Sequence, residues 1–269
     1  MLTMTVRRQH KLYSERLTFF IDILGFKDII EESTTNPKLV ESLFEALTSV
    51  TSENLKLNAC GNINHEKIPE EEKDKVLEIM KIYSDTLVKK FDIKATQFSD
   101  CLVFSVPVEN EIACFTIFEA VAKLMIALHT NFNLLLRGGI AMGQICHIES
   151  GPLFGPALVE AYELESKEAT YPMILLSNNV AKGILRTQMH EFMLSLFQEK
   201  ENKLYMSLAT AYYYLIYHST VFNKKQLKKD FFISKDIISK QIDAVDNQRV
   251  KEKYKWLYSE MEDMKTKIS

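Results

Sequence analysis

The chain has 269 residues, 46% hydrophobic and 26% charged, with 33 Lys and Arg against 36 Asp and Glu for a formal net charge of −3. That length and apolar content suit one domain with a large core, elaborated at its edges. The charge balance excludes the basic excess that wraps duplex DNA and an acidic tail, so polyanion binding is not the expectation.

The N-terminal MLTMTVRRQHKLYSER carries basic residues with no apolar segment behind them and is not expected to be a secretory signal. LTFFIDILGF, rich in aromatic and β-branched residues over strand length, predicts the first strand. A helix is expected next. Asn36 and Pro37 make an N-cap and N1 pair, with Leu39, Val40, Leu43, Phe44 and Leu47 on one face. From Asn58 to about Asp74 the chain turns polar, a surface loop, before a helical stretch KVLEIMKIYSDTLVKK.

FDIKATQF and CLVFSVPV read as two strands joined at Ser99 and Asp100, a tight hairpin. A long apolar helix follows over about Glu111 to Phe132. Glu119 and Lys123 interrupt it, so it reads as a core helix rather than a bilayer span. LLLRGGIAMGQICHI is again strand, and Gly138, Gly139 and Gly143 within it mean bulges or close backbone approach. The order β, α, β, β, α, β is the ferredoxin-like arrangement, an α+β class with helices on one face of an antiparallel sheet.

Beyond it lie a helix over about Pro156 to Lys167, a short strand PMILLS, and a helix from Asn178 to Gln198. LYMSLATAYYYLIYH suits helix or strand. The tail from about Lys235 to Thr266, with the single Trp256, is charged and periodic and reads as an amphipathic helical appendage. Cys60, Cys101, Cys114 and Cys146 show no CxxC spacing and sit in apolar surroundings. They predict neither a zinc site nor disulfides, and fit a reducing, cytoplasmic compartment.

Asp22 is the anomaly, a carboxylate inside the apolar run FFIDILGF. Buried alone it is costly and needs a partner, a proton or a metal. The ferredoxin-like order places it beside Asp100 at the hairpin turn. Two neighbouring carboxylates repel until a divalent cation lies between them, and oxygen donors suit Mg²⁺ or Mn²⁺. The turn at Gly25 before a helix N-terminus offers backbone N–H groups to a triphosphate.

These segments resemble the class III nucleotidyl cyclase family. FFIDILGF resembles its first metal-binding strand, FSDCLVF its second-metal hairpin, LRGGIAMGQ its following hairpin and LFGPALVEAYELES a later helical segment. The resemblance implies that family's catalytic fold over 1–200, with a strand and helix extension over 201–269 packed on the same domain. It implies that Asp22 and Asp100, with the backbone carbonyl of Ile23, hold two divalent metals (Mn²⁺ or Mg²⁺), and that Leu24, Gly25 and Phe26 contact the phosphates. Thr96 and Phe98 fall where the base is bound. The expected assembly is a head-to-tail homodimer converting a nucleoside triphosphate to a 3′,5′-cyclic monophosphate and pyrophosphate.

Departures refine this expectation. Where adenylate cyclases read adenine with a lysine and an aspartate, this chain has Thr96 and Pro152. FFIDILGF, FSD, LRGGI, YPMI and the late KYKWL are similar to the bacterial Pycsar branch, which makes cyclic pyrimidine nucleotides in anti-phage defence. That similarity implies UTP, or alternatively CTP, as substrate. It also implies a separate effector, a TIR protein or a membrane protein, that reads the cyclic product. Neither nucleic acid nor a membrane is an expected partner of the chain itself. The family's transition-state asparagine and arginine align with Val159 and Glu163, leaving Arg137 as the candidate cation. A degenerate, nucleotide-sensing cyclase fold and an adaptor recruiting partners through its tail remain open alternatives. Uracil and cytosine differ by a carbonyl against an amine, and a threonine hydroxyl can satisfy either.

Overall fold

Strand β1 (Ser14–Leu24) alternates as a two-faced strand must: Phe19, Ile21 and Ile23 are sealed in the core, whereas Phe20 and Asp22 point to the opposite face and are half-buried. The computed structural model describes residues 12–59, 91–184, 193–218 and 223–268. In it β1 is central, antiparallel to β3 (Cys101–Pro107) on one side and to β4 (Leu135–His147) on the other. β2 (Lys94–Phe98) flanks β3 as the edge strand. The order β2-β3-β1-β4 is that of the ferredoxin-like βαββαβ core, so the fold is α+β as expected.

The sheet extends further than that core. β5 (Leu153–Phe154) pairs with β4, and beyond β4 come β6 (Met173–Leu176), β8 (Lys203–Ser207) and β7 (Gln198–Lys200). β6 runs parallel to β4, so the sheet is mixed rather than wholly antiparallel.

The first strand ends two residues sooner than expected. Gly25, at φ +86°, turns the chain straight into helix α1 (Phe26–Ser33), so Phe26 belongs to a helix. α2 (Pro37–Thr48) follows, and the Asn36 side chain accepts from the Leu39 N–H at 3.3 Å. Its apolar face is narrower than the sequence suggests. Leu43 is buried and Leu39 and Leu47 half-buried along one i, i+4, i+8 stripe, while Val40 and Phe44 beside it face solvent, Phe44 at 70% exposure. α3 spans Ser52–Ala59. The polar loop after it, Cys60 and the helix expected over 75–90 lie outside the described residues.

α4 (Glu111–Phe132) matches the expected core helix, capped by the Asn110 side chain accepting from Ala113 N–H at 3.1 Å and ended by Asn133 at φ +55°. By length and composition it could cross a membrane, yet here it packs under the sheet, Phe118 edge-on to Phe19 at 4.9 Å, with its charges paired as Lys123–Glu119 at 2.6 Å.

α5 (Pro156–Glu163) and a π-helical turn (Leu164–Glu168) correct the one-sided expectation, because they cover the other face of the sheet. Tyr162 meets Phe20 edge-on at 5.4 Å. Gly139 makes this seat possible, since a Cβ there would collide with the Ala161 carbonyl and lie 2.7 Å from Leu164 Cβ.

α6 spans Asn178–Ile184. The helix expected to reach Gln198 does not, because Gln198–Lys200 is β7. The ambiguous LYMSLATAYYYLIYH divides at Ser207 into β8 and α7 (Leu208–His218), and Ser207 and Thr210 cap each other's backbone N–H groups at 2.9 and 3.3 Å. The tail is two helices, α8 (Lys224–Ala244) and α9 (Gln248–Ile268). Trp256 of α9 stacks on Tyr171 at 5.1 Å, and Tyr205 of β8 donates to Glu260 at 2.9 Å, so this segment shares the core of the sheet.

Two glycine substitutions separate close packing from propensity. Gly139→Ala should cost about 1–3 kcal/mol by pushing α5 off the sheet. Gly183→Ala, with nothing within 4 Å of the added methyl, should be neutral or stabilise by up to about 1 kcal/mol. Urea denaturation of both checks the pair, and equal effects would refute the tight seat.

Candidate functional site

The strand register assembles the site. Asp22 lies opposite Cys101 on β3 and opposite Arg137 on β4, and Phe98 on β2 continues the row, all on the face that carries α5. Asp100 enters from the two-residue β2–β3 turn, in which Ser99 takes φ +53°. The Asp100 carbonyl accepts the Ile23 N–H at 2.9 Å, which ties the turn to β1. Ligand atoms of Asp22, Asp100 and Cys101 lie within 4.8 Å of one another. Cys101 therefore sits in an acidic cluster rather than the apolar surroundings expected of it.

Charges from two further elements converge here. Arg137 Nη2 is 3.4 Å from Asp22 Oδ2 and also forms an ion pair with Glu165 of the π-helical turn. Glu165 is only 4% exposed, and Arg137 Nε is buried without a hydrogen-bond partner. Burial raises the Asp22 carboxyl above its ordinary value; Arg137 pulls it down, Asp100 pushes it up and Lys253 of α9 pulls it down. Glu165 is raised in the same way by burial, against the pull of Arg137. Lys253 is lowered by burial and then by Arg137, while Asp22 and Glu165 oppose the shift. The Cys101 thiol is pushed up to about 11, first by burial and then by Asp100, Asp22 and Glu165.

The donor set fits a hard divalent cation. It offers two half-buried carboxylates, that of Asp22 held short of full compensation, beside a thiol that stays protonated at neutral pH and adds no charge. Mg²⁺ and Mn²⁺ accept such oxygen donors, and Asp22 and Asp100 would hold them.

The other expected residues are placed as follows. Gly25 is exposed at the N-cap of α1 with no side chain capping the helix, so the first N–H groups are not taken by a side-chain cap. Leu24 is half-buried, and Phe26 buries its ring, leaving only its backbone for a ligand. Phe98 is 80% exposed. Thr96 lies one row from it on the same face, its Oγ1 2.9 Å from His147 Nε2. Val159 and Glu163 are exposed on α5, and Glu163 pairs with Lys167 at 2.6 Å.

Sequence reasoning missed Glu165, Lys253 and His147. Glu165 and Lys253 stood inside quoted segments, ELES and KYKWL, but no local pattern says that a π-helical turn and a C-terminal helix meet at one strand row.

No family model matches the chain, and no curated protein matches it. The solved structures similar to it include two that are each described as the structure of a bacterial light-regulated adenylyl cyclase. One is 16% identical with a TM-score of 0.31, covering 82% of this chain and 98% of that one. The other is 15% identical with a TM-score of 0.36, covering 85% and 67%. At such scores neither adds to the strand order and the site geometry above.

Arg137→Met should destabilise the protein by about 1–3 kcal/mol near neutral pH, by leaving Asp22 and Glu165 without their shared counter-charge. Both carboxyls then titrate still higher. The native state binds more protons than the unfolded chain across that window, so the variant gains stability as pH falls. Urea midpoints at about pH 7.5 and about pH 5.5 should show the deficit against wild type shrinking at the lower value. A constant deficit would mean that Arg137 acts through packing alone.

Proposed function

We propose that the protein is a nucleotidyl cyclase that converts UTP to 3′,5′-cyclic UMP and pyrophosphate. The observation that carries the reading is the meeting of Asp22 and Asp100 on one sheet face, beside an uncapped helix start at Gly25. Asp22 and Asp100 would hold divalent cations, and the Ile23 carbonyl would be a further donor. When bound, such ions activate a ribose hydroxyl and neutralise triphosphate charge. The backbone N–H groups at Leu24, Gly25 and Phe26 receive the phosphates. Arg137 and Lys253 add positive charge on the same side, taking the place of the residues that Val159 and Glu163 cannot supply.

The base lies toward β2. Phe98 offers an exposed ring for stacking, and Thr96 offers a hydroxyl where a lysine would read adenine. Phe154, Val159 and Tyr162, all about half exposed around α5, supply an apolar surface for a head-to-tail homodimer. On the sequence resemblance, the cyclic product is then read by a separate effector in anti-phage defence. A second reading keeps the nucleotide and drops the turnover. The engagement of Arg137 by Glu165 and the carboxylate at Glu163 favour that nucleotide sensor.

Purified protein given ATP, GTP, CTP and UTP with Mn²⁺ should yield cyclic UMP by mass spectrometry. Asp22→Asn and Asp100→Asn should each lower the rate at least about 10²-fold. A wild-type protein stabilised by UTP and Mn²⁺ that forms no cyclic product would make the sensor reading correct.

A further inference from the structure

We infer that a buried relay running from Arg16 through Ser105 and His147 keeps the Thr96 proton available as a hydrogen-bond donor toward the base, so that the site prefers a carbonyl to an amine at the pyrimidine 4-position. The inference rests on the reading above that a pyrimidine nucleotide binds against Thr96.

The relay starts at a group that can only donate. Arg16 is 1% exposed, and its guanidinium pairs with Asp92 Oδ2 at 2.5 Å and donates to the Asp92 carbonyl. It also donates through Nη2 to the Ser105 carbonyl at 3.0 Å and through Nε to Ser105 Oγ at 2.9 Å. Ser105 is fully buried, so its own proton needs an acceptor. His147 Nδ1 lies 2.8 Å away. Thr18, opposite Ser105 on β1, has a hydroxyl without any hydrogen-bond partner and does not take that proton. The Ser105 hydroxyl therefore donates to His147 Nδ1.

A neutral imidazole that accepts at Nδ1 carries its proton at Nε2. His147 is neutral at pH 7, its pKa pushed down to about 4 by burial and by the Arg16 and Lys94 cations, with Glu149 and Asp92 opposing. The Lys94 ammonium donates to the His147 carbonyl at 2.7 Å and anchors the residue. Nε2–H then donates to Thr96 Oγ1 at 2.9 Å. With one lone pair engaged by the imidazole, the Thr96 hydroxyl keeps a second lone pair and its proton, and that proton still needs an acceptor. A threonine that donated to the histidine would have no proton to offer; this one keeps it for a ligand.

Thr96 is well placed to use that commitment. It pairs with Val103, which pairs with Phe20, one row along from Phe98, Cys101 and Asp22 on the same face. Strand spacing puts it roughly 12 Å from Asp22, a span that a nucleotide covers between its phosphates and the edge of its base. Uracil presents O4, an acceptor, where cytosine presents N4–H₂, a donor. Against Thr96 the first takes the free proton, whereas the second can use only the remaining lone pair and leaves that proton without an acceptor in the site.

The test is the affinity of non-hydrolysable α,β-methylene analogues of UTP and CTP, measured by calorimetry alongside the product assay. Wild type should prefer the UTP analogue by about 10-fold or more. Ser105→Ala frees the imidazole to place its proton on Nδ1 and accept from Thr96. The ratio should then collapse toward one mainly because the CTP analogue binds more tightly, which a merely structural loss would not produce. Ser105→Thr should restore the preference, and Thr96→Val should abolish it by weakening the UTP analogue. A wild-type preference for the CTP analogue, or an unchanged ratio in folded Ser105→Ala, would overturn the relay. A wild type that shows the affinity ratio but makes no cyclic product would sink the cyclase reading and leave the relay standing, and binding of neither analogue would overturn both.

Discussion

Asp22 is a carboxylate held half-buried on the central strand, and the surrounding elements are arranged against the cost of that charge. β1 must bury Phe19, Ile21 and Ile23 against α4, so strict alternation sends Asp22 to the opposite face. There its neighbours are fixed by register rather than by choice: Cys101 on one side, Arg137 on the other, and Asp100 tied in through the Ile23 N–H. A one-residue slip of β1 would place Asp22 in the apolar core and dissolve the site together with the packing. The site and the fold are therefore specified by the same hydrogen-bond ladder.

The sheet face that carries the site holds a buried arginine, Arg16, and a half-buried one, Arg137, with different degrees of satisfaction. Arg16 uses all of its guanidinium nitrogens, on Asp92 and Ser105, and locks the far end of the face. Arg137 leaves its Nε without a partner and divides its charge between Asp22 and Glu165. A fully satisfied buried ion network rigidifies, whereas an under-satisfied one marks a place where partners can be exchanged. The contrast separates an arginine whose donors are all taken from one that keeps a buried donor open.

The elements legible in the sequence were those whose signal is local and repeated. The alternation of LTFFIDIL, the turn at Ser99 and Asp100, and the length of α4 each carry their own evidence, and from them the β2-β3-β1-β4 order and the meeting of Asp22 with Asp100 followed. A helix start after Gly25 was expected, but the end of β1 was misplaced because Gly25 reads equally as a strand end or a loop, and only its positive φ decides. The strand-to-helix switch at Ser207 was written in the sequence as a reciprocal Ser207–Thr210 cap but hidden by an unbroken apolar run. The seat of α5 on Gly139, and the arrival of Glu165 and Lys253 at Asp22, depend on contacts between segments far apart in the chain, for which periodicity carries no information.

The placement of α9 bears on how the C-terminal segment relates to the chemistry. Lys253 lies three residues before Trp256, which stacks on Tyr171, and seven before Glu260, which accepts from Tyr205. These two anchors fix the helix against β8 and the chain leading into β6, and so set where Lys253 lies relative to Arg137 and Asp22. From there its charge lowers the Asp22 carboxyl, while burial and Arg137 lower Lys253 itself. The tail helices thus belong to the electrostatics of the site as much as to the core, because the same face of α9 that buries Leu257 and Met261 sets the reach of Lys253.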